Sequence, residues 1–276
     1  MKREAREVPS AFYGVLERSE ADGPLDEAAE QVRALGYAVI DSGYESSELA
    51  RLSEAFDAVR EAYIDRYGRV YLENLDELNN IRLMLAHGDD TFLRLALNKS
   101  VLKTVSLLIS GKFVLNQQNG VINPPNEKYN QGAWHRDLPY QHFVSTTPLA
   151  INALFCVDDF TAENGATFVL PASHRTGPFP SPSHVRKNAV QVEAKAGQFI
   201  ILDCMAFHSG GYNHGSRPRR AVNHVYNIPY FKQQIKIADV VDGDGLSPRA
   251  REILGFTFQE PRSVDEYLKS RRKSGA

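Results

Sequence analysis

Short apolar runs separated by turn residues fill the chain from Gly111 to about residue 230, and they constrain the fold more than any other feature. Six runs have the length of β-strands and are bounded mostly by Gly, Pro, Asn or Asp, namely 113–122, 149–157, 166–170, 190–192, 198–207 and 220–229. Short strands with frequent turns are typical of an all-β sandwich or barrel. The sequence therefore predicts a mainly β core over residues 111–230.

Helical spacing dominates the part of the chain before this core. Apolar side chains recur at intervals of three and four between Leu49 and Tyr63, which places them on one face of a helix that begins at Ser46 or Ser47. A short strand is predicted at 37–40, and three further helices are predicted at 26–35, 90–97 and 101–109. We expect residues 24–110 to form a mainly helical wrap around the β core.

The remaining segments are expected to be less regular. Residues 1–23 are polar and predict a flexible lead-in, and residues 231–276 predict a C-terminal extension with two short helices, at 248–254 and 264–269. Residues 176–187 are rich in Pro and Ser, which predicts a loop that covers a site. A length of 276 residues favours one domain over 1–276.

The composition excludes several classes of protein. The formal net charge is −2, whereas a general nucleic-acid-binding surface needs a clear excess of basic residues. No run approaches about 18 consecutive apolar residues, and no apolar signal segment follows the N-terminus. We therefore expect a cytoplasmic monomer or homodimer with neither a nucleic-acid nor a membrane partner. Cys156 and Cys204 lie in apolar runs, as is typical of buried reduced thiols.

The sequence Trp134-His135-Arg136-Asp137 carries a possible metal-binding pattern. Side chains alternate along a strand, so His135 and Asp137 point to one face and Arg136 to the other. A second imidazole from elsewhere in the fold would complete a facial triad that leaves three coordination positions open, as in non-haem Fe(II) oxygenases. Taken alone, the pattern also fits a histidine at a strand end that is hydrogen-bonded to a neighbouring aspartate.

Several blocks in the right order make the chain resemble the phytanoyl-CoA dioxygenase family of Fe(II)/2-oxoglutarate-dependent oxygenases over roughly residues 24–230. They are QGAWHRD at 131–137, ENGATFVLPASHR at 163–175, His208-Ser209-Gly210 with Asn213, and RPRRA at 217–221. The resemblance implies a double-stranded β-helix, in other words a cupin-like jelly-roll barrel. It also implies Fe(II) as the cofactor and 2-oxoglutarate and O2 as co-substrates.

The resemblance further implies which residues bind the metal. It makes His208 the second imidazole beside His135 and Asp137, and these three residues are the predicted catalytic metal ligands. His208 also follows an apolar run, which is expected to place it at a strand end. Five other histidines are expected at the surface or around the metal without binding it, namely His142, His174, His184, His214 and His224.

The residues implied to bind 2-oxoglutarate are Arg219, Thr167 and Tyr140. Arg219 follows His208 by eleven residues, the family's spacing for the arginine that pairs with the distal carboxylate of the oxo acid. The adjacent Arg220 is expected on the opposite face of its strand. Thr167 matches a family position whose hydroxyl bonds a carboxylate of 2-oxoglutarate, and Tyr140 lies where an aromatic phenol often does the same.

Polar side chains on two predicted strands are candidates for orienting the oxo acid or the substrate. Gln117 and Asn119 share one face of the strand 113–122, and Asn152 lies on another strand. Trp134 is interpreted as a core residue that packs beside the metal. The basic residues Arg136, Arg175, Arg186 and Lys187 either meet an anionic small molecule or are scattered surface charges.

Two positions depart from the family pattern. Ala172 follows Pro171 where glycine is common, so a turn that requires a positive φ is expected to be slightly altered. Gly132 lies three residues before His135, where glutamine is common, and Gln131 lies one residue earlier. One expected contact to the oxo acid is therefore in doubt, whereas no metal ligand is affected.

Together these features predict a dioxygenase that hydroxylates a C–H bond of a small-molecule metabolite and converts 2-oxoglutarate to succinate. Asp137 argues against halogenation, because halogenating relatives lack this carboxylate. Desaturation, epimerisation and ring formation stay open because they use the same triad. The alternative is a cupin-like binding or regulatory protein that keeps the pocket without oxygenase turnover.

Overall fold

The computed structural model describes residues 8–138 and 144–271, and Tyr140 and His142 lie outside these ranges. The strands are β1 (Tyr37–Asp41), β2 (Asn80–Ile81), β3 (Val114–Asn123), β4 (Ala150–Cys156), β5 (Thr167–Val169), β6 (Val190–Val192), β7 (Gln198–Asp203), β8 (His208–Ser209) and β9 (Arg219–Asn227). The α-helices are α1 (Pro24–Leu35), α2 (Ser46–Tyr67), α3 (Arg69–Asn74), α4 (Thr91–Ala96), α5 (Lys99–Leu108), α6 (Pro182–Asn188), α7 (Pro248–Ile253) and α8 (Val264–Ser270).

Two antiparallel sheets form the core. The larger sheet has the strand order β1-β7-β4-β9-β3-β2, and the smaller sheet has the order β6-β5-β8. An apolar cluster that includes Phe160, Val169 and Ile200 fills the space between the sheets. His135 extends the smaller sheet through an antiparallel bridge to His208. The arrangement is the predicted mainly β jelly roll with N-terminal helices.

The N-terminal helices cover the outer face of the larger sheet. Alternate residues of β4, such as Ile151 and Phe155, join a core cluster with Leu52 and Phe56 of α2. Helix α2 buries the predicted apolar stripe and begins at Ser46, after a capping box in which Glu45 is the N-cap. Among the described residues, no helix combines the length and the apolar character needed to span a bilayer.

The predicted strand 198–207 is wrong in its second half. Strand β7 ends at Asp203, whose side chain accepts a hydrogen bond from the backbone N–H of Met205 (2.9 Å). The carbonyl of Asp203 accepts a second bond from the N–H of Ala206 (2.8 Å). The resulting turn carries the chain from the larger sheet to the smaller one, where His208 begins β8. Apolar composition alone does not reveal this turn, because its residues are buried as well.

The predicted loop 176–187 contains helix α6. Ser181 is the N-cap and accepts a hydrogen bond from the N–H of His184 (3.4 Å), and Pro182 occupies the first turn, which favours helix initiation. Helix α6 has no buried residue, so it lacks the apolar periodicity by which the other helices were predicted.

The turn after Pro171 keeps the conformation that glycine favours, although alanine occupies the position. Ala172 has φ 61° and ψ 6°, which is the left-handed region. Its N–H donates to the carbonyl of Leu35 (2.8 Å), and the turn continues into His174. The expected alteration of this turn is therefore wrong, and the alanine bears a strain of about 1 kcal/mol instead.

His224 lies in the core instead of at the surface or around the metal, so its expected location is wrong. Its Nδ1–H donates to the carbonyl of Ala153 (3.0 Å), and its Nε2 accepts from the side-chain amide of Gln118 (2.9 Å). Burial lowers the pKa of His224 to about 4. A proton on Nε2 would face the N–H of Gln118, so the imidazole is neutral in the folded protein.

We expect acid to destabilise the protein through His224. The pKa is about 6.5 in the unfolded chain and about 4 in the fold, so the unfolded state gains the proton first as the pH falls. The stabilisation that the neutral imidazole gives to the fold is present in full above pH ~6.5, and it is smaller by about 2 kcal/mol at pH 5. Urea denaturation of His224→Gln should show a flatter dependence of unfolding free energy on pH between 6.5 and 5. Equal slopes in the two proteins would contradict the assignment.

Candidate metal centre

The backbone brings His135 and His208 directly opposite each other. The N–H of His135 donates to the carbonyl of His208 (2.9 Å), and the N–H of His208 donates back to His135 (3.1 Å). Residues paired in this way project their side chains to the same face, and the ring centroids are 4.3 Å apart. Asp137, two residues after His135, shares this face because side chains alternate along extended backbone.

Both imidazoles are oriented by the backbone two residues earlier. Nδ1–H of His135 donates to the carbonyl of Ala133 (2.8 Å), and Nδ1–H of His208 donates to that of Ala206 (3.0 Å). These bonds fix the tautomer that leaves each Nε2 free as a ligand atom. The Nε2 atoms of His135 and His208 lie 3.9 and 3.6 Å from Oδ1 of Asp137.

Asn152 holds the carboxylate of Asp137. Its amide donates to Oδ2 of Asp137 (2.8 Å), so Oδ1 alone turns toward the two imidazoles. The three candidate ligand atoms all lie within 4.8 Å of one another. Two imidazole nitrogens and one carboxylate oxygen on one face fit a divalent iron and leave its opposite face open.

Electrostatic interactions keep the carboxylate ionised. Burial alone would raise the pKa of Asp137, but His208, His135 and the amide of Asn152 together lower it to about 2. Burial and the neighbouring His208 lower the pKa of His135. Burial also opposes a charge on His208, yet the attraction of Asp137 raises the pKa of this imidazole. The site therefore offers an anionic oxygen and a neutral nitrogen at His135, both ready to bind a cation.

We expect Asn152→Ala to weaken metal binding roughly ten- to a hundredfold, because hydrogen-bond partners of metal ligands typically contribute this much. Without the amide, Asp137 loses the bond that holds its carboxylate rotamer. Titration of the protein with Fe(II) against a chelator under anaerobic conditions measures the change. Asn223→Ala is the matched control, because the side-chain oxygen of Asn223 accepts a hydrogen bond from Gln117 (3.1 Å) instead of bonding to a metal ligand. Equal affinities in the two variants would contradict the role of Asn152.

Arg219 lies in the same cavity as the metal-ligand face. One cavity is lined by His135, His208, Thr167 and Arg219. The guanidinium of Arg219 is buried and lies 3.9 Å above the ring of Phe160, and burial lowers its pKa. Among the described residues, no carboxylate forms an ion pair with it. An uncompensated buried cation is costly, so the geometry favours an anionic ligand in this cavity.

Tyr129 is a residue of the cavity that the sequence did not reveal. Its hydroxyl accepts from Arg219 (3.3 Å), while the other arm of the guanidinium donates to the carbonyl of Gly165 (2.8 Å). The phenol fits because Gly210 has no side chain, as a Cβ there would lie 1.8 Å from the hydroxyl oxygen. Tyr129 lies outside any recognisable strand pattern, and a lone tyrosine near His135 carries no signal by itself.

Arg220 occupies the opposite face of β9. Its guanidinium forms ion pairs with Asp158 (2.7 Å) and with Asp57 of α2 (2.8 Å), so it joins the sheet to the helical layer. Gln117 donates to Asn223, which lines the cavity. Asn119 donates to Gln234 (2.9 Å) and accepts from a backbone N–H. Neither Gln117 nor Asn119 lines the cavity itself, and their contact with the oxo acid stays a prediction.

Trp134 and Arg136 anchor the segment that contains α6. Trp134 is partly exposed and packs against Phe179 (5.9 Å between centroids), which in turn packs against Phe207 (4.9 Å). Arg136 is buried, lies 3.9 Å above Phe207 and donates to the carbonyl of Gly177 (3.2 Å). Arg136 is therefore not a scattered surface charge, and Trp134 is only partly buried instead of a core residue; both residues hold this segment against the barrel. Contact of Arg136 with an anionic small molecule stays a prediction.

A jelly roll with two histidines and one carboxylate on one face of the smaller sheet defines the class of non-haem iron oxygenases. The family model described as phytanoyl-CoA dioxygenase (PhyH) matches residues 32–221. The chain belongs to the phytanoyl-CoA dioxygenase family, and the predicted family is confirmed.

One relative and two solved structures extend the comparison. "Uncharacterized protein Rv1501" of Mycobacterium tuberculosis is 30% identical over 252 residues, which cover 88% of this chain and 91% of that protein. The structure of EctD from S. alaskensis with 2-oxoglutarate and 5-hydroxyectoine superposes with a TM-score of 0.63 at 21% identity, covering 82% of this chain and 85% of that one. The epimerase SnoN gives 0.57 at 22% identity, covering 81% and 92%. These similarities confirm the predicted fold.

Proposed function

We propose that this protein is an Fe(II)/2-oxoglutarate-dependent dioxygenase that hydroxylates a C–H bond of a small-molecule substrate. The observation that carries the proposal is the buried guanidinium of Arg219, which lacks a carboxylate partner among the described residues and shares a cavity with His135 and His208. A dicarboxylate that chelates the metal through one end needs such a cation at the other end.

The residues of the cavity have separate tasks. His135, Asp137 and His208 would hold Fe(II) through two imidazole nitrogens and one carboxylate oxygen. Bound iron supplies the redox chemistry that couples decarboxylation of 2-oxoglutarate to succinate with oxidation of the substrate. Arg219 holds the distal carboxylate with two parallel hydrogen bonds, and Thr167 lines the same part of the cavity. The apolar side chains of Leu154 and Leu202 limit the access of water.

The proteins that share this fold include a named epimerase, so the fold by itself does not distinguish hydroxylation from epimerisation. The presence of Asp137 supports oxidation of a C–H bond over halogenation, because the carboxylate occupies the position that a halide would need. We propose a single domain over 1–276 for this activity and a small-molecule substrate.

Formation of succinate tests the proposal. Protein loaded with Fe(II) and 2-oxoglutarate without oxygen should form succinate when O2 is admitted, even slowly without substrate, and should form none with Zn(II) in place of Fe(II). His135→Ala is the matched variant without activity. A folded, iron-loaded protein that forms no succinate would favour the binding or regulatory alternative. Mass analysis of a turned-over substrate, with a gain of one oxygen atom, tests hydroxylation.

A further inference from the structure

A groove lies between the end of β9 and the C-terminal extension, and all of its lining residues except Val114 lie outside the part of the chain that the family model matches. Residues 229–236 form one wall and residues 255–262 the other, around a cavity of about 450 Å³. A second hollow of about 520 Å³ adjoins it at Pro229 and Phe258. Volumes of this size are typical of small-molecule sites. We call this feature the C-terminal groove and define it by Tyr230, Phe231, Lys232, Lys236, Phe258 and Arg262.

Hydrogen bonds hold the walls of the C-terminal groove in place. The side-chain amide of Gln233 donates to the carbonyls of Leu115 (2.7 Å) and Leu254 (3.0 Å), so it connects β3 to the C-terminal extension. The amide of Asn116 donates to the carbonyl of Lys232 (2.7 Å). A groove whose walls are already fixed loses little conformational entropy when a ligand binds.

The lining of the C-terminal groove combines aromatic rings with positive charge. Tyr230 is 94% exposed at the rim of the groove, so its ring is accessible to a ligand. Lys232, Lys236 and Arg262 line the groove with one carboxylate, that of Glu260. Within the described ranges, Lys232 and Arg262 form no ion pair, and Lys236 pairs only with Asp239 at the surface (2.9 Å). Two further carboxylates lie beside the lining, since Asp239 pairs with Lys236 and Glu266 accepts from the backbone N–H of Arg262 (2.7 Å). The side chains of Lys232 and Arg262 are therefore the cations that the groove offers to a ligand.

The C-terminal groove lies close to the metal centre. Val114, which lines it, pairs with Asn227 at the end of β9. Two residues earlier on β9, Val225 pairs with Asn152, whose amide holds Asp137. Val114 and Asn152 lie on opposite sides of β9, so about 7 Å along the strand and two strand spacings of about 4.8 Å separate them. The resulting distance of roughly 12 Å is within the length of an ordinary metabolite.

Phe231 connects the C-terminal groove to the metal centre more directly. Its ring lines the groove and also packs against a cluster that contains Leu138 and Met205. Leu138 follows the ligand Asp137 in the chain, and the N–H of Asp137 donates to the carbonyl of Cys204 in the same cluster (3.1 Å). A ligand that rests on Phe231 is therefore one side chain away from the backbone that carries a metal ligand.

We propose that the C-terminal groove binds the far end of the primary substrate, and that this end carries an anionic group on an apolar or aromatic body. The aromatic rings contact the body, and Lys232 and Arg262 bind the carboxylate, sulfate or phosphate. The assignment of the ligand as substrate rests on the proposed function, whereas the binding of such a molecule does not.

Binding of anilinonaphthalene sulfonate, an aromatic sulfonate that fluoresces when bound, tests the proposal without turnover. Phenylnaphthylamine, the same ring system without the sulfonate, is the matched ligand. We expect Lys232→Ala/Arg262→Ala to weaken binding of the sulfonate at least tenfold and to leave binding of the neutral ligand unchanged. Tyr230→Ala should weaken both. Arg51→Ala/Lys103→Ala removes the same charges from exposed positions on α2 and α5 and should change neither.

Two further measurements locate the probe and connect it to the substrate. Addition of 2-oxoglutarate to the metal-loaded protein should leave the sulfonate bound, and its displacement would place the probe in the metal cavity and overturn the proposal. Compounds from a metabolite library that accelerate formation of succinate should displace the sulfonate. Accelerating compounds that leave it bound would refute the substrate assignment. Unchanged affinity of Lys232→Ala/Arg262→Ala for the sulfonate would refute the site itself.

Discussion

Arg219→Ala should raise the KM for 2-oxoglutarate about tenfold to a thousandfold while Fe(II) binds almost as well as in the parent protein. The guanidinium is buried beside the metal-ligand face, and each charge-assisted hydrogen bond to a carboxylate contributes about 1.5–3 kcal/mol. With about 1.4 kcal/mol for each factor of ten, loss of one such bond gives about tenfold to a hundredfold, and partial loss of the second extends the range to about a thousandfold. Steady-state formation of succinate at varied 2-oxoglutarate measures it, and Arg219→Lys should restore only part of the loss.

Arg220→Ala is the control for this experiment. Its ion pairs with Asp158 and Asp57 connect the sheet to α2, so the variant should lose thermal stability and keep the KM for 2-oxoglutarate. The two neighbouring arginines therefore separate substrate binding from stability. A large increase of the KM in Arg220→Ala with none in Arg219→Ala would mean that the side chains of β9 point to the opposite faces from those assigned.

His208→Ala should abolish turnover of 2-oxoglutarate and weaken Fe(II) binding by roughly a hundredfold or more, because loss of a ligand exceeds the cost of losing a ligand's hydrogen-bond partner. The backbone bonds between His208 and His135 do not involve the imidazole, so the fold should remain. His135→Ala should behave in the same way. Anaerobic Fe(II) titration and succinate formation, together with a melting curve, measure the three effects.

His214→Ala provides the comparison for the histidine variants. His214 is exposed, and its ring contacts Tyr212 (4.7 Å between centroids) instead of the metal-ligand face. We expect normal iron affinity and turnover in this variant. Near-normal turnover in His208→Ala would show that the second imidazole is misassigned, with His214 as the next candidate.

The strands and the alternation along them were predictable because they depend on local sequence. Side chains two apart share a face, so the sequence alone places Arg219 and Arg220 on opposite faces of β9. The juxtaposition of His135 and His208 depends on pairing between distant segments. Spacing alone did not determine this pairing, and the resemblance to a family supplied it.

Other features could not be predicted from the sequence, because residues from several distant segments form them together. Asn152 was a candidate for contacting the oxo acid, yet its amide bonds Asp137, since pairing in the sheet brings β4 beside the metal ligands. Tyr129 reaches Arg219 only because Gly210 leaves room for its ring. His224 is fully buried, and a histidine among the other polar residues of β9 gives no sign of that burial.

Anaerobic titration of the protein with Fe(II) and 2-oxoglutarate tests whether one cavity holds a metal on His135, Asp137 and His208 and the oxo acid on Arg219. We expect a weak visible charge-transfer band that appears only when both components are present, saturates at one equivalent of iron, and is absent in His208→Ala. Arg219→Ala should show the band only at higher 2-oxoglutarate concentration. A folded, iron-loaded protein that shows no band at saturating 2-oxoglutarate would contradict the account.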